Sequence, residues 1–122
     1  MKKILIVDDE LSIVNFISDV VRVVGFESKF LTNGKKVVAT ALDWKPDVIT
    51  LDIMIPSPNG VEVLTELKAN PETAHIPVYV ISAVKTTPEI ERVLALAQAV
   101  FPKPIDTKDF ISRLRTLEKV PS

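Results

Sequence analysis

Cysteine is absent from all 122 residues. Its absence excludes a disulfide framework and a thiolate metal site, and it is compatible with the reducing cytoplasm expected for this chain. An excess of charge is absent too: fifteen basic residues against sixteen acidic ones leave a formal charge of −1. That balance gives no electrostatic reason to expect nucleic acid or a membrane as partner. No apolar stretch approaches the roughly 18 residues needed to span a bilayer. The run after Met1-Lys2-Lys3 is too short for a signal peptide and ends in two acids.

What the chain does have is apolar residues, 47% of the total, enough to bury a core, in a length that suits one domain. Strand-like runs alternate with helical periodicity. Lys3–Val7 is followed by a helix over Glu10–Val24, with Ile13, Phe16, Ile17, Val20, Val21 and Val24 on one face. Gly25 stands where a C′ glycine belongs. Phe26–Leu31 is a second strand, and Asn33-Gly34 turns into a helix carrying Val37, Val38, Ala41 and Leu42. Val48–Leu51 precedes a helix opened by Asn59-Gly60 and ended by Asn70-Pro71. Val78–Ile81 leads to a helix begun by Thr87-Pro88, whose Ile90, Val93, Leu94 and Ala97 share a face. Ala99–Phe101 is the fifth strand, and Asp106 or Thr107 caps a last helix with Phe110, Ile111, Leu114 and Leu117 inward. Runs 4–7, 48–51 and 78–81 are continuously apolar, as strands buried on both faces are. Alternating β and α elements imply an α/β fold with a parallel sheet and right-handed crossovers. Pro102 places the fifth strand at a sheet edge, or ends it there.

Ligands of open parallel sheets bind beyond the carboxyl ends of the strands. The first strand delivers Asp8 and Asp9 to that edge, the third Asp52, the fourth Ser82, and the fifth Lys103. Taken singly, an aspartate after a strand is a turn former, a serine a cap and a lysine a solvated side chain. Their joint placement is the informative feature. Two carboxylates about 4 Å apart repel by roughly 4 kcal/mol at an effective dielectric near 20, so a cation must neutralise them or their pKa values rise. Hard oxygen ligands suit Mg²⁺. Such a site leaves an Asp52 oxygen free to attack phosphorus, with Lys103 and Ser82 on the phosphoryl oxygens.

With ILIVDDE at 4–10, LDIMIPSPNG at 51–60, VISA at 80–83 and KP at 103–104, the chain resembles the receiver domain of two-component response regulators over about residues 2–118. Residues 1–122 then read as one receiver domain with a short C-terminal tail. They are either a stand-alone protein or a segment of a larger regulator or hybrid kinase. The resemblance implies a flavodoxin-like, doubly wound five-stranded parallel sheet, order 2-1-3-4-5, with five helices in three layers. It implies Asp52 as phospho-acceptor and Asp8, Asp9, Asp52 and the Met54 carbonyl as ligands of Mg²⁺ or Mn²⁺. It also implies Ser82 as switch hydroxyl, Lys103 as the site lysine, and a cis Lys103-Pro104 bond. The implied partners are a histidine kinase or phosphotransfer protein, and a downstream protein contacted by the fourth helix, fifth strand and fifth helix. The implied chemistry is confined to the chain's own phosphorylation and dephosphorylation.

The chain departs from the family pattern in places. Receivers place Tyr or Phe three residues before the lysine as rotamer partner of the switch hydroxyl; here that position is Val100, and Phe101 comes one later. The pattern slips locally, or switching does not use an aromatic ring. The aspartate loop carries an additional proline, Pro58, expected to stiffen it. Met54 and Val84 are apolar where receivers tune attack of water on the phosphoaspartate, which points to a long-lived phosphorylated state. His75 reads as a solvated loop residue, not a phosphotransfer histidine, and Trp44 as helix-end packing. Glu10 reads as an acid of the first helical turn or an outer carboxylate near the metal.

Three other functions fit the same residues less well. A haloacid-dehalogenase-like phosphohydrolase needs an acid two residues after its nucleophile, where Asp52 has Met54. A flavin binder of the same architecture would meet an acidic first loop that repels a phosphate. A degenerate receiver, working as a phosphorylation-independent interaction module, sits poorly with the complete set of Asp8, Asp9, Asp52, Ser82 and Lys103.

Overall fold

In the computed structural model, which describes residues 2–83 and 87–119, strands and helices alternate along the chain. They run β1 (Lys2–Val7), α1 (Leu11–Val23), β2 (Phe26–Leu31), α2 (Val37–Trp44) and β3 (Val48–Asp52). Then follow α3 (Gly60–Ala69), β4 (Val78–Ser82), α4 (Pro88–Leu94), β5 (Ala99–Pro102) and α5 (Thr107–Lys119). The five strands are all parallel, in the order β2-β1-β3-β4-β5, as the resemblance implied. Among the described residues, no helix is long and apolar enough to cross a membrane.

The central strands are buried on both faces, and side-chain alternation sorts them into two cores. Leu5, Val7, Ile49, Leu51, Val78 and Val80 pack against α2, α3 and α4. Ile4, Ile6, Val48, Tyr79, Ile81 and Phe101 pack against α1 and α5. Three layers result. In the second core Tyr79, Phe101 and Phe110 meet with ring centroids 5.4–6.4 Å apart, and the Tyr79 hydroxyl donates to the Arg113 carbonyl at 2.8 Å. These contacts tie β4 and β5 to α5.

Two helices differ from their expected faces. In α1 the residues buried are Val14, Ile17 and Val21, while Phe16 is exposed. At roughly 100° per residue, Phe16 sits about a quarter-turn from the buried line through Ile17. Helix α4 stops at Leu94, before Ala97. The chain there tightens, with Leu96 N–H donating to Val93 O at 2.9 Å and Ala97 N–H to Leu94 O at 3.0 Å. Gln98 N–H must already meet Val78 O, 2.9 Å away, for β5 to start at Ala99. Ala97 still packs on the core from this turn. Pro102 ends β5, the edge strand. The cap of α5 is Asp106, whose Oδ1 accepts from Asp109 N–H at 3.2 Å.

Candidate functional site at the carboxyl edge of the sheet

Strand register alone brings the acids together. Val7 pairs with Leu51, so Asp8 comes alongside Asp52 one residue further on. By the same alternation Asp8, Asp52 and Lys103 follow Ile6, Thr50 and Phe101 on the side of α1 and α5, whereas Ser82 follows Val80 on the opposite side. A group bound above Asp52 is therefore flanked from both sides of the sheet. Asp8 and Asp52 are 1% and 3% exposed. Asp9 and Glu10 lie at the surface, and one carboxylate oxygen from each of Asp8, Asp9, Glu10 and Asp52 falls within 4.8 Å of the others.

Each buried acid is held by a backbone donor two residues on. Glu10 N–H donates to Asp8 Oδ1 at 2.9 Å, and Met54 N–H to Asp52 Oδ1 at 3.0 Å. Lys103 reaches into the cluster from β5, its backbone anchored by a 3.0 Å bond from its N–H to Ser82 O. Its Nζ lies 3.2 Å from Asp52 Oδ2, 3.1 Å from Glu10 Oε1 and 3.3 Å from Asp8 Oδ2. The Lys103-Pro104 bond is cis, and so is Ser57-Pro58 in the loop beside Met54. Met54 is exposed, and Val84 lies outside the described residues.

Helix α3 is drawn close to the end of β3 at Asp52 because residue 60 is glycine. Gly60 N–H donates to Ile53 O at 3.0 Å. A Cβ there would stand 2.5 Å from the Asp52 carbonyl oxygen.

Burial and charge together set the protonation of Asp8 and Lys103. Burial pushes the Asp8 carboxyl up from 3.8 to about 6, against the pull of the Glu10 N–H, with Asp52 adding to the rise and Lys103 opposing it. Burial works against the Lys103 ammonium. Hydrogen bonding to Glu10 and the charges of Asp52 and Asp8 more than offset it and raise its pKa. Asp8 Oδ2 is buried without an aligned hydrogen bond among the described residues. A buried carboxylate oxygen met only by the Lys103 ammonium, among four acids facing that one cation, fits a hard divalent ion, which takes oxygen ligands and neutralises the excess charge.

Val100 and Phe101 part company. Val100 pairs with Val80 and is 47% exposed, whereas Phe101 pairs with Ile81 and is 2% exposed in the aromatic trio. With Lys103 on Asp52, β5 is not slipped, and Phe101 points to the wrong side of the sheet to stand in for a surface aromatic. His75 is exposed in the α3–β4 connection, at the other end of the sheet. Trp44 ends α2, half-buried, with Lys3 Nζ and Lys29 Nζ 5.4 and 5.0 Å from its ring centre. Two features had no signal in the sequence: the reach of Glu10 to Lys103, and the buried Thr50 hydroxyl, which lacks a hydrogen-bond partner among the described residues.

A doubly wound parallel sheet with a lysine-bridged acidic cluster at its carboxyl edge defines a class of signalling domains. Residues 4–115 match the response regulator receiver domain family, and the chain belongs to it. It is 32% identical to the transcriptional regulatory protein CpxR of Klebsiella pneumoniae over 120 residues, 96% of this chain and 49% of that protein. It is 31% identical to the DNA-binding dual master transcriptional regulator RpaA of Synechocystis, over 96% of this chain and 49% of that one. The chain thus spans about half the length of these relatives. Among solved structures, the Francisella response regulator 1452 receiver domain matches with a TM-score of 0.85 and 26% identity, covering 98% of each chain. The Vibrio cholerae chemotaxis protein CheY4 matches with a TM-score of 0.84 and 25% identity, covering 96% of this chain and 98% of that one.

Proposed function

We propose that this receiver domain accepts a phosphoryl group on Asp52 from the phosphohistidine of a histidine kinase or phosphotransfer protein in the cytoplasm. It then controls a partner protein through the surface of α4, β5 and α5. The observation that carries this reading is the setting of Asp52: a buried carboxylate at a strand's carboxyl end, 3.2 Å from a lysine ammonium and clustered with three other acids.

In the step, an Asp52 oxygen forms a bond to phosphorus as the bond from phosphorus to the donor nitrogen breaks, that nitrogen keeping the electron pair. No general base is needed, because a carboxylate oxygen attacks phosphorus with its own lone pair. Asp8, Asp9, Asp52 and the Met54 carbonyl would hold Mg²⁺ or Mn²⁺, which supplies positive charge to the phosphoryl oxygens. Lys103 places its ammonium on the same oxygens. Ser82 offers its hydroxyl from the opposite side of the sheet. The added charge and acceptor oxygens then bias a two-state equilibrium of the domain. Neither nucleic acid nor membrane enters this reading.

Incubation with Mg²⁺ and acetyl phosphate, followed by intact mass measurement, tests it. A gain of one phosphate that disappears in Asp52→Asn is expected. A second reading, a receiver acting by contact alone, draws on the aliphatic Val100 in the place of a switch aromatic. Absence of any adduct on the native chain would favour it.

A further inference from the structure

Lys103 is shared by three carboxylates, and they are not alike. Asp8 and Asp52 are buried, whereas the Glu10 side chain is 57% exposed and Lys103 itself only 13%. Glu10 also has a rigid base. Its N–H is given to Asp8 Oδ1 at 2.9 Å, and its carbonyl accepts from Ile13 and Val14 N–H at 3.0 and 3.1 Å as α1 begins. Its side chain makes no cap hydrogen bond. A fixed backbone thus presents a free carboxylate whose reach ends on the Lys103 ammonium, 3.1 Å away.

An ammonium has three N–H donors. Glu10 and Asp52 each take one. A phosphoryl group on Asp52 would bring three oxygens to the same ammonium and take the charge there from one negative towards two. The donor held by Glu10 is the one that goes to the exposed member of the three carboxylates.

We infer that Glu10 is a positioning residue that tethers the Lys103 ammonium toward the mouth of the site and gives it up when Asp52 is phosphorylated. The tether opposes phosphorylation and sets the threshold at which the domain takes phosphate. This inference rests on the proposal that Asp52 is the acceptor.

The test compares phosphorylation of the whole chain by acetyl phosphate at saturating Mg²⁺ in the native protein, Glu10→Gln and Glu10→Asp. The glutamine variant loses the charge, and the aspartate keeps it but falls short of Lys103. A tether predicts that both raise the rate constant at saturating donor, by roughly threefold or more, with the donor's half-saturation little changed. It also predicts that neither substitution alters the rate in a Lys103→Ala background. If Glu10→Asp behaves as the native chain while Glu10→Gln does not, charge alone acts and the tether is overturned. Equal rates in all three proteins, or an unchanged effect without Lys103, overturn it as well and leave Asp52 as acceptor untouched. No adduct on the native chain overturns both readings together.

Discussion

At the residue scale, Asp8 carries the electrostatic tension of the site. Burial, the main cause, lifts its carboxyl to about 6 from 3.8. A folded-state value above the unfolded one means that the native state binds the proton more tightly. The stabilisation from this group is complete below pH 3.8 and is lost as pH rises through about 6. In the metal-free chain, Asp8→Asn should therefore flatten this part of the pH dependence. It should stabilise the protein at pH 7.5 by about 1–3 kcal/mol, and by little at acid pH. Urea unfolding in EDTA at both pH values measures this; equal stabilities at pH 7.5 would show that Lys103 already neutralises the charge. The same substitution removes a proposed cation ligand, so its gain in metal-free stability should be accompanied by weaker Mg²⁺ binding.

At the scale of elements, the start of α3 links local sequence to the site. Asn59 Oδ1 accepts from Glu62 N–H at 3.0 Å, and Glu62 Oε1 accepts from Asn59 N–H at 3.3 Å, closing a capping box. Asn59→Ala should cost about 1 kcal/mol and leave phosphate uptake intact. Gly60→Ala is different in kind. Its Cβ would stand 2.5 Å from both the Asp52 carbonyl oxygen and Ile53 Cα, backbone atoms that cannot turn aside. A loss of about 1–3 kcal/mol or more is expected, together with slower phosphorylation, because relieving the clash displaces Asp52. Thermal melts and the acetyl phosphate assay on both variants separate the two effects. Element boundaries show the limits of periodicity in the same way. The apolar pattern at 90–97 is helical in spacing, yet α4 ends at Leu94 because the pairing of β5 with β4 claims the residues that follow.

At the scale of the whole molecule, the proposed cation site predicts that stability depends on Mg²⁺, because the clustered acids repel one another without it. Mg²⁺ at a hundred times its dissociation constant should stabilise the chain by about 2.7 kcal/mol. For a domain of this size that is a rise in melting temperature on the order of 10 °C. Calorimetry with and without chelator checks it, and the increment should shrink in Asp8→Asn. The curated relatives extend to about twice this length. Much of this molecule was legible in its sequence, because its signals are local. Three doubly buried strands read as continuous apolar runs that end in Asp8, Asp52 and Ser82, and the edge strand leads to Lys103. Strand order came from family likeness, since no short-range pattern specifies which strands become neighbours. Only the tertiary structure decided that Glu10 meets Lys103 across 93 residues, and that Val100 faces outward while Phe101 is buried with Tyr79 and Phe110. Those outcomes depend on the register of separate strands and the reach of long side chains, and neither is encoded within any one segment.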